Sequence, residues 1–466
     1  MTGVRRSAYL LRSNKHNLWA CLKMSLIGKT RALAILCSVA VTPVVLAQQV
    51  TLLEAAELMR GRDFEYRIIE LEADIAAERI AQADVLRYPR VSVSFDYTQT
   101  RQEIISQDNE VFEAGTSEFP TLTLALTATQ PIYDRVGWRA RPLAEAEAAV
   151  TLAQSEVTLN ELKYSLSRTY LAVAREQSAL RRAEILLKAR ADFVGMVQRQ
   201  VDAGRSDNDT LLRAQTDMYA AEAELTNTRT RLSDALYELY RFTGSDVDAV
   251  VARGVSPFNL NSFLDELSIE KLLELSPVLE VARAELAVAW ANLDRARAAF
   301  HPTAYANLDF GQENTQGSLF GGGSEVRTLE FGVTLSQSIF GGARGSLERE
   351  ADRRIELARV RKDQLSDILS RRYQAITAAL VQADARRQSI ENQVVLTERT
   401  LRSAERLRSA GRVGMEFVME QELRLALVRA DADLNNIRTL ELQLEVLSMF
   451  GALNIDDLSK HLEGEI

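Results

Sequence analysis

Ala203-Gly204-Arg205-Ser206-Asp207-Asn208-Asp209-Thr210-Leu211-Leu212 decides the fold, because a counterpart follows 207 residues later: Ala410-Gly411-Arg412-Val413-Gly414-Met415-Glu416-Phe417-Val418-Met419. In each copy an alanine-rich helical pattern runs in, breaks at Ala-Gly-Arg, and a second helical pattern runs out. Glycine just past a helix end accepts the left-handed conformation that stops it. Each copy therefore predicts the tip of a helical hairpin, and two such hairpins mean an internal duplication.

Upstream of the first tip, Leu152, Leu159, Leu166, Val173, Leu180, Leu187, Val194 and Val201 recur every seven residues. So sustained a heptad predicts coiled-coil packing. After the tip, Leu211, Met218, Leu225, Leu232 and Leu239 continue it until Thr243-Gly244. The second half has a long helical pattern over 344–410 and a return over 415–450, with Leu423, Leu427, Ala430, Leu434, Ile437 and Leu444 on one face. Helices of roughly 66 residues reach about 100 Å. The shorter helices of each half, stacked end to end, are expected to run alongside.

Before each hairpin the period changes from 3.6 to 2. Val91, Val93, Phe95 and Tyr97 alternate with Ser92, Ser94, Asp96 and Thr98, and Leu122, Leu124, Leu126 and Ala128 alternate with small residues. The second half repeats this with Ala304, Ala306, Leu308 and Phe310, then Leu329, Phe331, Val333 and Leu335. The spacing predicts strands over 91–100, 121–130, 303–311 and 327–337, with a polar loop near 101–120 and a glycine-rich one over 311–324.

Such lengths suit a half-buried sheet in water or a tilted barrel strand in a membrane, which needs roughly 9–11 residues. Aromatics at the strand–helix boundaries (Tyr88, Tyr133, Phe300 and Phe340) suit an interfacial belt, and the Ser, Thr, Asp, Asn and Glu of the other face suit a water-filled lumen. Four strands cannot close a barrel, and open edges are not tolerated in lipid. Spanning strands therefore require an oligomer with one shared barrel. The opposing reading is a soluble periplasmic coiled-coil adaptor or scaffold with a small sheet.

Residues 1–47 hold seven Lys or Arg and no Asp or Glu, and the apolar run Ala32 to Ala47 ends in Val45-Leu46-Ala47. That predicts a secretory signal peptide, with Met24 as an alternative start. The 56 basic residues of the chain fall to 49 without it, against 65 acidic ones, a formal charge of −16. Nucleic acid is disfavoured as a partner. Both cysteines, Cys21 and Cys37, lie in the signal, which leaves no disulfide or thiol chemistry. His301 and His461 have no ligand-like spacing, and Gly321-Gly322-Gly323 does not precede a helix. No catalytic, cofactor-binding or metal-ligating residue is expected, and no enzyme.

The expected division is a signal peptide at 1–47, a first repeat at 48–244 with its hairpin at 138–243, and a connector at 245–276. A second repeat follows at 277–451 with its hairpin at 344–450, and 452–466 is a C-terminal tail.

The duplicated order helix–strand–strand–long helix–tip–return helix resembles the TolC family of outer-membrane efflux and secretion proteins. So do Tyr88-Pro89 and His301-Pro302 before the strands, Gln130-Pro131-Ile132 and Gln337-Ser338-Ile339 after them, and the glycine tips. The resemblance covers the whole chain after residue 47. It implies a mainly α fold with a small β part, and a homotrimer with one 12-stranded outer-membrane barrel and a helical periplasmic tunnel. It also implies a periplasmic adaptor (membrane fusion) protein at the tips and an inner-membrane RND or ABC transporter, with the chain as a passive exit duct of a Gram-negative cell. The family's gate aspartates align with Phe417, beside Glu416, and with Glu420; its gate tyrosine aligns with Arg408 and its arginine with Val413, beside Arg412. An acidic periplasmic gate of Glu416, Glu420 and Glu422 is expected, with Gly204, Arg205, Gly411 and Arg412 contacting the adaptor. An acidic lumen would favour cations.

Overall fold

The computed structural model describes residues 49–103, 116–252, 254–317, 322–339 and 343–463. The expected signal peptide and Phe340 lie outside them. The first half runs β1 (Gln49–Val50), α1 (Leu52–Arg62), α2 (Phe64–Val85), β2 (Arg90–Glu103), β3 (Thr116–Asp134), α3 (Arg135–Asp202) and α4 (Asn208–Thr243). After β4 (Ala249–Val250), α5 (Leu260–Glu266) and α6 (Ile269–Leu275), the second half runs α7 (Pro277–Ala298), β5 (Thr303–Thr315), β6 (Ser324–Ser336), α8 (Arg344–Ser409) and α9 (Met415–Phe450). It ends on α10 (Ile455–Glu463).

The duplication is visible in the lengths. The helices α2 and α7 have 22 residues each, α4 and α9 have 36 each, and α3 and α8 have 68 and 66. Along its length α3 packs against α2, α7, α4 and α9, while α8 packs against α7 and α9. The helices thus lie side by side as one layer, in the order α2–α3–α7–α8 toward the sheet and α4–α3–α9–α8 toward the tips.

At mid-height two cores lock the layer. Leu166, Tyr170, Val173, Leu239, Leu440 and Leu444 join Val50, Leu52 and Met59 in one of them. The Tyr170 hydroxyl donates to the carbonyls of Val50 and Val251 at 3.0 and 2.9 Å, so this buried polar group anchors the parallel pair β1–β4. Burial raises the Tyr170 pKa far above its ordinary value, so the hydroxyl stays protonated and keeps both bonds. The second core gathers Phe263, Leu272, Leu369, Tyr373, Leu380 and Phe450, with the Tyr373 hydroxyl donating to the Leu267 carbonyl.

Three expectations need correction. The strands are longer than their apolar alternation, at 14, 19, 13 and 13 residues, because polar ends also pair: Arg101 lies across from Glu118 and bridges it at 3.3 Å. The single helical pattern over 262–275 is two helices, broken where Ser268 caps α6 through the Lys271 N–H. Residues 452–466 are more than a tail. Leu458 and Leu462 of α10 enter the first core, and His461 Nδ1 lies 2.9 Å from the Ser256 carbonyl.

Candidate functional site

Among the described residues the larger sheet has four antiparallel strands in the order β2–β3–β5–β6. Strand alternation divides it into two unlike faces. In one row Val93, Leu126, Phe310 and Leu329 lie level; in the next Val91, Ala128, Leu308 and Phe331 do. The opposite face carries Ser92, Thr127, Asp309 and Glu330 in one row, and Asp96, Thr123, Glu313 and Val326 in another. No described residue covers the apolar face: Val93 is 68% exposed, Leu126 41% and Phe331 75%. Contiguous apolar surface of this kind marks contact with another molecule or a membrane.

The apolar band is slanted. On β2 and β3 it extends to Phe95–Leu124 and Tyr97–Leu122, but those rows continue on β5 and β6 as Gln312–Arg327 and Asn314–Glu325. There the band instead reaches down to Ala304–Leu335. It shifts by four residues across the sheet, about 13 Å over two to three strand spacings of about 4.8 Å each. The strands therefore incline to the plane of the band by an angle on the order of 45°, the inclination of barrel strands in a membrane. Pro131 falls where the β3–β5 register shifts, a bulge that accommodates its missing N–H.

The expected belt aromatics stand at the helical end of the sheet. Tyr88 is exposed, Tyr133 packs edge-on to Trp138 at 5.0 Å, and the Arg344 guanidinium lies 5.0 Å over the Phe300 ring. Trp138 was not anticipated; its position four residues into α3 is the signal that pattern reading passed over.

At the other end both tips close alike. Gly204 and Gly411 sit at φ +66° and +70°, and the N–H groups of Arg205 and Arg412 donate back to the Gln200 and Leu407 carbonyls. All four residues are exposed. The tips differ at the next helix. Asp207 caps α4 through the Thr210 N–H at 2.7 Å, and its bonds from Thr210 hold its carboxyl below the ordinary range. Gly414 at the start of α9 offers no side-chain cap.

Near the tips α3 and α9 enclose a groove of about 460 Å³. Glu416 and Glu420, one turn apart, line it with Arg190, Phe193 and Arg424. Glu422 is exposed but does not line this groove, so the three glutamates are not brought together.

The grooves also identify the concave face of the helical layer. One of about 570 Å³ touches α2, α3, α7 and α8 at once, through Arg79, Glu147, Glu285 and Arg354. Four helices side by side share a groove only on the side toward which the layer curves. On α3 the groove-lining residues Val150, Gln154, Val157, Tyr164, Arg168, Ala172, Arg175, Ala189 and Phe193 follow one stripe at steps of three, four or whole multiples of seven residues. They share a single face of the helix. No described helix is long and apolar enough to cross a membrane.

Residues 57–245 match the family described as outer membrane efflux protein. The chain is 24% identical over 301 residues to the probable efflux pump outer membrane protein TtgC of Pseudomonas putida, covering 62% of this chain and 60% of that one. It is 20% identical over 252 residues to the proteases secretion protein PrtF of Dickeya chrysanthemi, covering 54% of each. The chain thus spans about 60% of the length of the first of these curated relatives. In structure it resembles the CmeC outer membrane channel of Campylobacter jejuni, with a TM-score of 0.70 over 88% of this chain and 89% of that one, at 13% identity. The mainly helical fold with its small sheet is that of the TolC-like channels, and the similarity to the outer membrane efflux protein family lies in residues 57–245.

Proposed function

We propose that the chain is the outer-membrane exit duct of a tripartite export system, a passive conduit for efflux or type I secretion. The observation that carries this reading is the slanted, uncovered apolar band on a sheet with two free edges. Thirteen large apolar side chains in the band remain more than a third exposed. Moving each into an apolar medium contributes roughly 1–2 kcal/mol, about 13–26 kcal/mol together. The free edges of β2 and β6 carry unpaired backbone groups that lipid would not tolerate. Pairing β6 of one copy with β2 of the next removes them, and three copies close twelve strands.

The helical layer asks for the same operation. Its outer members are α2 and α4 on one side and α8 on the other, and Leu71 of α2, Leu212 of α4 and Val360 of α8 are exposed. Three layers joined edge to edge enclose a tunnel whose wall is the concave face. In this arrangement residues 48–244 and 277–451 act as the two repeats, joined by the belt at 245–276. Tyr88, Tyr133 and Phe300 stand at the inner membrane–water boundary. The tunnel extends into the periplasm, where Gly204, Arg205, Gly411 and Arg412 meet an adaptor protein. An inner-membrane RND or ABC transporter supplies the driving energy, so the chain itself needs neither cofactor nor catalytic residue. Glu416 and Glu420 narrow the entrance, with Glu422 beside rather than within their groove. The uncapped second tip is the one expected to yield first when the adaptor engages.

Fractionation tests the reading: the purified membrane species is run on gels unheated and boiled. A heat-modifiable outer-membrane oligomer of about three protomer masses is expected. A soluble periplasmic monomer would remove the duct and leave a coiled-coil scaffold.

A further inference from the structure

The chain is acidic, yet the concave face of its helices is not. Arg168, Arg175 and Arg182 follow one another on α3 at seven-residue intervals, each two places after Leu166, Val173 and Leu180. The leucine heptad builds the core, and the arginine heptad runs beside it on the groove-lining stripe. At mid-height Arg168 and Arg175 share a groove of about 420 Å³ with Tyr164 of the same helix, Arg372 of α8, and Arg438 and two carboxylates, Glu441 and Glu445, of α9. Four guanidinium groups thus face two carboxylates.

Their depths differ. Glu441 and Glu445 are 13% and 25% exposed, whereas Arg175, Arg372 and Arg438 are 43%, 58% and 66% exposed. The carboxylates form the floor, where they hold Arg175 at 3.0 Å, Arg372 at 2.8 Å and Arg438 at 3.3 Å. The guanidinium planes form the surface. Arg168 makes no ion pair or hydrogen bond among the described residues, so its donors are free for a ligand. The groove above, with Arg79, Arg354 and Arg361 against Glu147 and Glu285, repeats the basic excess. Beyond it, on the polar face of the sheet, the sign reverses: Asp96, Asp309, Glu313 and Glu330 outnumber Arg90.

From this arrangement we infer that the mid-height groove of Arg168, Arg175, Arg372 and Arg438 is a transit site for organic anions, that is, cargo bearing carboxylate, sulfonate or phosphate groups. This replaces the cation-favouring lumen expected from net charge, because the charge that matters lies on one face. The inference rests on the duct reading above. Guanidinium forks match planar oxyanions with paired hydrogen bonds. A conduit needs binding firm enough to admit cargo and weak enough to release it. The floor carboxylates temper the field, which keeps the binding weak enough for release.

The test uses the purified full-length protein with pyranine (hydroxypyrene trisulfonate) as probe. Fluorescence anisotropy in detergent is expected to give saturable binding that weakens with salt. Arg168→Glu should weaken it at least about fivefold, because it removes the free fork and leaves no floor carboxylate orphaned. Arg353→Glu, on α8 outside this groove, should not change it. In planar bilayers under a KCl gradient, the wild type should favour chloride and Arg168→Glu should shift the reversal potential toward potassium. Absence of pyranine binding, or equal binding by wild type and Arg168→Glu, would overturn the inference even if the protein conducts. A protein that binds pyranine at Arg168 but is recovered as a soluble periplasmic monomer would uphold the anion site and overturn the duct.

Discussion

Leu166 and Leu126 are the same residue type in opposite surroundings. Leu166 of α3 is fully buried between Tyr170, the β1–β4 pair and its neighbouring helices, whereas Leu126 of β3 is 41% exposed in a row of equally uncovered apolar side chains. The helical region completes its core within one chain; the sheet does not. On the proposed duct reading, this difference means that the molecule is built for two solvents. The helices solve the ordinary problem of burial in water, and the sheet leaves its apolar face for a medium that replaces water.

The largest expected effect breaks the contrast on the sheet. Leu126→Asp or Phe331→Asp puts a charge on the apolar face and should abolish the membrane oligomer, while Thr127→Asp, one residue along on the polar face, should leave it intact. Recovery of heat-modifiable oligomer from membranes measures both. Equal loss from both faces would mean that the sheet is covered by protein instead. A smaller effect tests the helical side. Leu166→Ala should lower stability by about 2–5 kcal/mol through loss of buried contacts and a residual cavity. Its thermal unfolding, followed by helical circular dichroism, should shift down with membrane residence retained.

The smallest effect lies at the tips, where neither region's burial acts and hydrogen bonds remain. Asp207→Ala should speed amide exchange at 208–210 by about fivefold, the usual consequence of a lost cap. The pH dependence has a definite sign. The carboxyl is held below its ordinary 3.8, so the cap contributes fully above that pH and is lost as pH falls through the lowered value. Exchange at the second tip, which starts from Gly414, should lack this acid sensitivity.

The heptads and the Ala-Gly-Arg stops made the helical layer legible, since a helix displays its buried face at fixed intervals. Period-2 alternation gave the strand centres but not their ends, because pairs such as Arg101–Glu118 carry no apolar signal. The two faces of the sheet were legible; the slant of the band was not, since it depends on which row meets which. Glu416 and Glu420 share a groove because they are four residues apart, while Glu422 turns away for the same geometric reason. The arginine heptad was present in the sequence, but net charge concealed it. A total of −16 says nothing about which face holds the basic residues.

The free edges of β2 and β6 also have a genetic consequence. In the proposed threefold barrel each copy supplies one arc of the wall, so one faulty arc spoils the ring. A cell expressing equal amounts of sound and defective chains that still pair would keep only about one in eight of its channels wholly sound. Lesions on the apolar face should therefore be dominant when the edges remain competent, and recessive when the edges themselves are lost.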